Sequence, residues 1–450
     1  MNKYFNKILN IIRWSVALLS VVTLLLAGHF CYSRLTAYKK ISVDLEPLLA
    51  FTSFPSYPEG SSIPVFYHST QDSKAELFQL GETLVSTGIK MNLETKEQDN
   101  NYSPVKGFSW KDSIILNSEK LKSAYYILKI KHNNSEAEYN LPIVITPTKK
   151  YKVAVIANTN TWQAYNTYGG RSYYDNEVDA SYVFWMYRKF PTLRPLSFLP
   201  FKRPYKEVEM EMKGATNSIE EFDKIETITD YKKANLGSAL LRGEWTLAGF
   251  LEKNKIDYGV FSDYDFCNNP SIDEAEVIMF HVHSEYWSEE MMGKLNALVE
   301  KGKKIIFLSG NNIYREIENT EYGIQVTRET IEMAKTRALC GSYYTEPTYP
   351  KLAPYKVMNA SHWVFEGCNL KQGDLFGKLG ASGNETDKIG FDTKEFQTLA
   401  IGTNYAGPAY MIIKENKNGG FVFNTSSLMF SKYLQRDSVL DRIVLNLIGK

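Results

Sequence analysis

Residues 275–312 read, in order, "AEVIMFHVH", "SEEMMGKLNALVEKGK" and "KIIFLSGNN". The outer two are short apolar runs typical of strands buried on both faces, and the middle one reads as a helix. Neighbouring parallel strands need such a crossover, because a tight turn cannot join them. The same alternation occurs upstream, where "YKVAVIAN" reads as a strand, "NLGSALLRGEWTLAGFLEKNK" as a helix and "IDYGVFSDYD" as a strand. Repetition of this unit restricts the region to an α/β fold, a parallel sheet flanked by helices. From about residue 345 the chain is richer in turns, with β-like runs "AYMIIKE" and "GGFVFNTS" before the helix-like "VLDRIVLNLI". The α/β domain is placed at 149–450. Functional groups in open sheets of this kind gather at the carboxyl ends of the strands. Three strand ends here carry unusual polar content: "NTNTWQAYNTYGG", "HVHSEYW" and "SGNNIY".

Residues 41–148 follow a different pattern. "SIPVFYHS", "AELFQLG", "DSIILN", "AYYILKIKH" and "YNLPIVITP" are short β-like runs between clusters of Gly, Pro, Asn and Ser. Such spacing predicts a small antiparallel, Ig-like β-sandwich. "NLETKEQDNNYSPVKG" reads as a loop within it. No cluster of groups suited to chemistry occurs here, so the domain reads as a spacer or interaction module.

Residues 1–40 form a third unit. Lys3, Lys7 and Arg13 precede an apolar run from Trp14 to about Tyr32, and Arg34, Lys39 and Lys40 follow it. The run approaches the ~20 residues that a bilayer-spanning helix needs. It exceeds a usual signal-peptide core, and no small-residue cleavage site is clear after it. Cys31 in "LAGHFC" does not fit a lipoprotein box. The expectation is an uncleaved transmembrane anchor with the bulk of the chain extracytoplasmic, in the periplasm or at the cell exterior; a cleaved signal peptide is the alternative.

A net charge of +1, from 52 basic and 51 acidic residues, gives no electrostatic argument for nucleic acid as a partner. Cys31, Cys267, Cys340 and Cys368 have no CxxC spacing, which argues against a zinc ribbon or thioredoxin-type motif. Cys340 and Cys368 are read as free buried thiols, with a disulfide between them as the alternative outside the cytoplasm.

The stretch "MFHVHSEYWSEEMM" holds two of the chain's six histidines. On an extended strand His281, His283 and Glu285 share one face, as ligands of a zinc or manganese ion would. The competing reading makes His281 a core residue beside "VIMF" and leaves His283 and Glu285 at the strand end, near Tyr286 and Trp287. Ser288 reads as an N-cap, with Glu289 and Glu290 complementing the dipole in the first helical turn. A Cys–His–Glu triad is disfavoured, because "FLSGNNIY" has no cysteine and Ser309 precedes the turn. "TWQAYNTYGGRSYY" alone reads as a loop with aromatic packing. Thirty tyrosines against six histidines direct attention to phenolate ligands.

Taken together, "NTNTWQAYNTYGGRSYY", "FKRPY", "FSDYDF", "HVHSEYWSEEM", "LSGNNIY" and "HWVFEG" through "GNETD" resemble the C-terminal domain of the N,N-dimethylformamidase large-subunit family. "SEKLKSAYYILKI" extends the likeness into the sandwich, so it spans roughly residues 45–450. The resemblance implies an amidohydrolase acting on a small-molecule amide. It also implies a glutamine-amidotransferase-like (flavodoxin-like) α/β domain and mononuclear ferric iron held by two tyrosine phenolates and a glutamate. Carried onto this chain, the ligands are Tyr165 of "WQAYN", Tyr205 of "KRPY" and Glu285 of "HSEYW". His283 and Asn311 match polar residues beside the metal, and Glu385 of "GNETD" is a general-base candidate.

Phenolate and carboxylate are hard anionic donors suited to ferric iron. The family's characterised enzyme is a soluble assembly with a small subunit, whereas this chain has an apolar N-terminal segment. Dimethylformamide is therefore not the expected substrate. Homo-oligomerisation is left open, and so is a non-catalytic cell-surface binding protein that keeps the fold.

Overall fold

In the strand Val153–Ala157 every residue is buried, and successive side chains enter opposite cores: Val153 and Val155 one, Ala154 and Ile156 the other. That is the period-two alternation of a strand covered on both faces. The computed structural model describes residues 2–37, 40–111, 113–166, 168–170, 197–205, 236–328, 330–344, 353–383, 385–389, 395–404 and 407–450. Residues 171–174 of the "YGGRSYY" stretch, Asn384 of "GNETD" and the Cys31 side chain lie outside them.

Val153–Ala157 belongs to a nine-stranded sheet. Five parallel strands (Val153–Ala157, Tyr258–Ser262, Val277–Val282, Lys304–Ser309 and Phe421–Asn424) stand in the spatial order 2-1-3-4-5 by chain position. Four antiparallel strands extend the far edge: Tyr410–Glu415, Gln397–Gly402, Tyr355–Val357 and Leu375–Phe376. One face packs against the helices Leu236–Lys253 and Ser438–Gly449, through Leu247, Phe250, Leu251, Ile443 and Leu447. The other packs against Glu289–Glu300 and Met333–Cys340, through Met291, Met292, Leu295, Leu298 and Leu339. The expected parallel α/β domain is present. The turn-rich remainder supplies more sheet than the sequence suggested, because its strands are short and interrupted.

The N-cap expectation also holds. Ser288 accepts the Met291 N–H, Glu289 and Glu290 occupy the first turn, and Glu289 pairs with Lys335. A small four-stranded sheet of Ser197–Pro200, Gly323–Arg328, Arg315–Asn319 and Tyr286–Trp287 was not anticipated. Its two-residue strand Tyr286–Trp287 is too short to leave a periodic signal.

Upstream, a five-stranded and a three-stranded sheet share one core built on Leu49, Phe51, Ile63, Leu77, Leu128 and Leu141. The runs expected as strands are strands. Four others were missed, Ile41–Ser42, Leu48–Thr52, Ser56–Pro58 and Leu84–Leu93, and the supposed loop contains the short strand Asn101–Ser103 and the start of Gly107–Phe108. Leu84–Leu93 alternates partly exposed polar and aliphatic residues around Gly88, which weakens its apolar signature. The sandwich is joined to the α/β domain by specific bonds. Trp245 Nε1 donates to Gly81 O at 2.6 Å, and Glu252 accepts Gln79 Nε2 at 2.9 Å and Glu82 N at 3.1 Å.

Asn2–Ala37 is one helix. Its segment Leu9–Gly28 has mean hydropathy 2.0 and no part buried, so by length and composition it suits a membrane anchor or a signal sequence. Cys267, Cys340 and Cys368 are free thiols, so the disulfide alternative is not realised.

Candidate active site

Three parallel strands end side by side and deliver the polar groups. The helix Thr159–Tyr165 follows the first, His283 and Glu285 follow Val277–Val282, and Asn311 follows Lys304–Ser309. The first two are adjacent in the sheet, although the chain visits Tyr258–Ser262 on the outer side between them. This is where strand order reverses, the position at the carboxyl edge at which open α/β sheets bind ligands.

The chain turns sharply there. Val282 has φ +57° and Asn311 φ +51°, left-handed conformations that a β-branched residue rarely adopts. Glu385 and Ser426, at φ +37° and +56°, share the feature. Backbone strain of this kind concentrates at functional sites. Val282 also explains why His281 and His283 part company. The left-handed residue breaks the alternation, so the His281 ring meets Tyr125 Oη at 3.2 Å and His283 turns toward Tyr165 and Glu285. His281 is wholly buried, and burial lowers its pKa to about 3, as suits a neutral core imidazole. The geometry therefore does not bring His281, His283 and Glu285 onto one zinc or manganese ion. Among the described residues, no group of three or more His, Cys, Asp or Glu side chains is placed to hold a metal by itself.

Four oxygen- and nitrogen-bearing groups converge instead. His283 Nε2 lies 2.9 Å from Tyr165 Oη, 3.2 Å from Glu285 Oε2 and 3.2 Å from Glu385 Oε2. Tyr165 Oη donates to Glu285 Oε2 at 3.2 Å. An imidazole nitrogen carries at most one proton, so it cannot serve three oxygens at once. Burial opposes the charged imidazole, but Glu385 and Glu285 outweigh it and raise His283 to about 9. Burial pushes the Glu385 carboxyl up, against the pull of His283. Asp387, also buried, is pushed up to about 7. Two carboxylates and a phenol crowded around one nitrogen form an oxygen-rich pocket that suits a hard cation.

Asn311 is fixed from behind. Its backbone N–H donates to Asp387 Oδ1 at 2.7 Å, and Asp387 Oδ2 holds Asn312 Nδ2 at 2.9 Å. Its side chain gives Nδ2 to Glu385 Oε2 at 2.9 Å, while its Oδ1 is buried with no partner. As arranged, Asn311 presents its unpartnered Oδ1 as an acceptor, its Nδ2 being given to Glu385. Asp387 itself was missed in the sequence. The signal was its place two residues after Glu385 in "GNETD".

Tyr205, the other tyrosine expected as a ligand, has its hydroxyl already bonded. It is buried in the same apolar cluster as Tyr165, with Trp162 edge-on at 6.5 Å, but its hydroxyl is engaged by Gln163 Nε2. Arg203 holds Gln163 in turn through its backbone oxygen, and Tyr139 Oη accepts the Tyr205 N–H at 2.8 Å.

The family model described as "N,N-dimethylformamidase beta subunit-like, C-terminal" matches residues 79–441. The chain belongs to that family. The match begins inside the sandwich and runs through all the groups above, so the family unit includes part of both domains. A search of curated proteins finds no match. Among solved structures, the chain is similar to a putative ThuA-like protein from Bacteroides uniformis. That alignment has TM-score 0.33 and 13% identity, and covers 46% of this chain and 82% of that one. A Paenibacillus cycloisomaltooligosaccharide glucanotransferase aligns with TM-score 0.18 and 8% identity, over 70% of this chain and 62% of that one. The family suggests a hydrolase-type function and implies an amidohydrolase.

Proposed function

We propose that the chain is a metal-dependent amide hydrolase with a mononuclear ferric centre held by Tyr165, Tyr205 and Glu285. The observation that carries the reading is the 3.2 Å approach of Tyr165 Oη to Glu285 Oε2 around the shared His283 nitrogen. Tyr165 and Glu285 fit a hard cation as they stand, whereas Tyr205 is committed to Gln163 and would have to exchange that bond. When bound, such a cation supplies Lewis acidity toward an amide carbonyl and acidifies water.

The remaining work falls to the chain's own groups. In this reading Glu385, with its carboxyl pushed up by burial, accepts a proton from attacking water as general base. In the same reading His283, 3.2 Å from Glu385 and already protonated, gives its proton to the leaving amine and recovers one from Glu385. Asn311 Oδ1, buried and unpartnered, supports an acceptor role toward a substrate N–H. The wholly buried Trp287 and Tyr286 beside Glu285 help exclude bulk water.

The strand order 2-1-3-4-5 supports a flavodoxin-like assignment for the catalytic domain, and the two packed sheets upstream support an Ig-like one. The exposed apolar helix supports a membrane anchor; a catalytic part outside the cytoplasm is part of the same proposal. Metal analysis of the purified chain, with a panel of small amides assayed for amine release, tests the reading. Iron content with amide hydrolysis that is lost in Glu285→Ala is expected; zinc in place of iron sinks the ferric assignment.

A further inference from the structure

Glu285 commits its two carboxylate oxygens to different sides. Oε2 faces Tyr165 Oη and His283 Nε2, each at 3.2 Å, whereas Oε1 accepts Arg315 Nε at 2.8 Å. The Glu285 carbonyl also accepts the N–H groups of Tyr314 and Arg315, at 2.9 and 3.0 Å. Arg315 therefore grips Glu285 through both side chain and backbone. It opens the strand Arg315–Asn319, which pairs in parallel with Tyr286–Trp287 so that Tyr286 stands opposite Arg315. The small sheet thus sets the register between the glutamate and its arginine. The guanidinium carbon also lies 5.1 Å from the centre of the Tyr314 ring, a cation–π contact that restrains it further. The Arg315 side chain is 13% exposed against 1% for Glu285, so the pair is largely desolvated and its geometry matters.

We propose that Arg315 is a positioning residue for the metal centre: by holding Oε1 it reserves Oε2 of Glu285 as a single directed donor. The proposal rests on the metal-hydrolase reading above. A carboxylate with both oxygens uncommitted can rotate or donate through either one. A planar guanidinium bond fixes the direction, where an ammonium supplies only a point charge. Partners of this kind hold ligands in place, and their loss typically weakens metal binding about 10–100-fold.

The test compares the full chain in detergent with Arg315→Lys and Arg315→Met, each loaded with iron. The readouts are the rate of iron loss to a chelator and the visible absorption of the loaded protein. Far-ultraviolet circular dichroism and thermal unfolding establish that each variant is folded. Both variants are expected to lose iron about 10–100-fold faster and to shift the absorption maximum. Arg315→Lys keeps the buried positive charge, so it carries the test if Arg315→Met does not fold. If folded Arg315→Lys retains iron within about twofold of the parent with an unshifted band, charge compensation alone is the role and the proposal is overturned. If the parent itself takes up no iron, the metal reading fails and the proposal falls with it. The two failures are therefore distinguishable.

Discussion

Tyr165 Oη lies 3.2 Å from Glu285 Oε2, across 120 residues of chain. The contact exists because two strands adjacent in the sheet, Val153–Ala157 and Val277–Val282, end at the same edge. Tyr165 arrives on a seven-residue helix and Glu285 just after a left-handed residue, Val282. Neither local motif specifies the pairing; the parallel register does.

His281 should be dispensable for the metal and costly for the fold. Its ring is wholly buried, with Tyr125 Oη as hydrogen-bond partner. His281→Ala should lower unfolding free energy by about 2–4 kcal/mol through the cavity and the lost hydrogen bond to Tyr125 Oη. Denaturant unfolding measures that loss, and metal content measured alongside should be unchanged. A loss of metal without a loss of stability would restore His281 as a ligand.

Gly310 should not tolerate a side chain. A Cβ there would lie 2.2 Å from Glu385 O and 2.7 Å from Leu428 N, both backbone atoms with nowhere to go. Gly310→Ala should cost about 1–3 kcal/mol by overpacking, and it should displace the Glu385 segment. Chemical denaturation reads the first effect. An unchanged unfolding midpoint would show that the close approach is not real.

Glu244 should make stability depend on pH. Burial raises its carboxyl from 4.5 to about 7, against hydrogen bonds from Asn158, Tyr125 and Trp162 that pull it down. The folded state then holds a proton that the unfolded state releases between those two values. This contribution is therefore fully present below pH 4.5, declines as pH rises to about 7 and is flat above. The difference is on the order of 3 kcal/mol. Glu244→Gln should gain stability relative to the parent at pH 8 compared with pH 5, as read by unfolding at both. An equal difference at the two pH values would contradict the assignment.

The sandwich should unfold together with the α/β domain. Leu80, Tyr125 and Ile127 share an apolar cluster with Ala157, Tyr165 and Val282, so part of the support for Tyr165 comes from upstream. Calorimetry should give a single transition for the two. Separate transitions with independent midpoints would contradict this.

The parallel sheet was legible in the sequence because its strands are apolar runs of four to six residues, most of them joined by periodic helices. His283, Glu285 and Asn311 were legible as strand-end groups for the same reason. The small sheet around Tyr286–Trp287 was not, since two residues carry no period. Nor was the separation of His281 from His283, because spacing assumes an extended chain and Val282 is left-handed. Tyr205 shows a different limit. The resemblance named the residue, but only the fold reveals that its hydroxyl is engaged by Gln163. Asp387 and Arg315 act through backbone and carboxylate contacts that no motif announces.

The central claim is that a phenolate from Tyr165 and a carboxylate from Glu285 hold one ferric ion. The most direct measurement is the visible spectrum of the iron-loaded parent and of Tyr165→Phe, with iron determined in both. The expected result is an intense tyrosinate-to-iron charge-transfer band in the parent that is weakened or abolished in Tyr165→Phe, while His281→Ala keeps it. A colourless, zinc-bearing parent, or an iron band unaltered in Tyr165→Phe, would contradict the account.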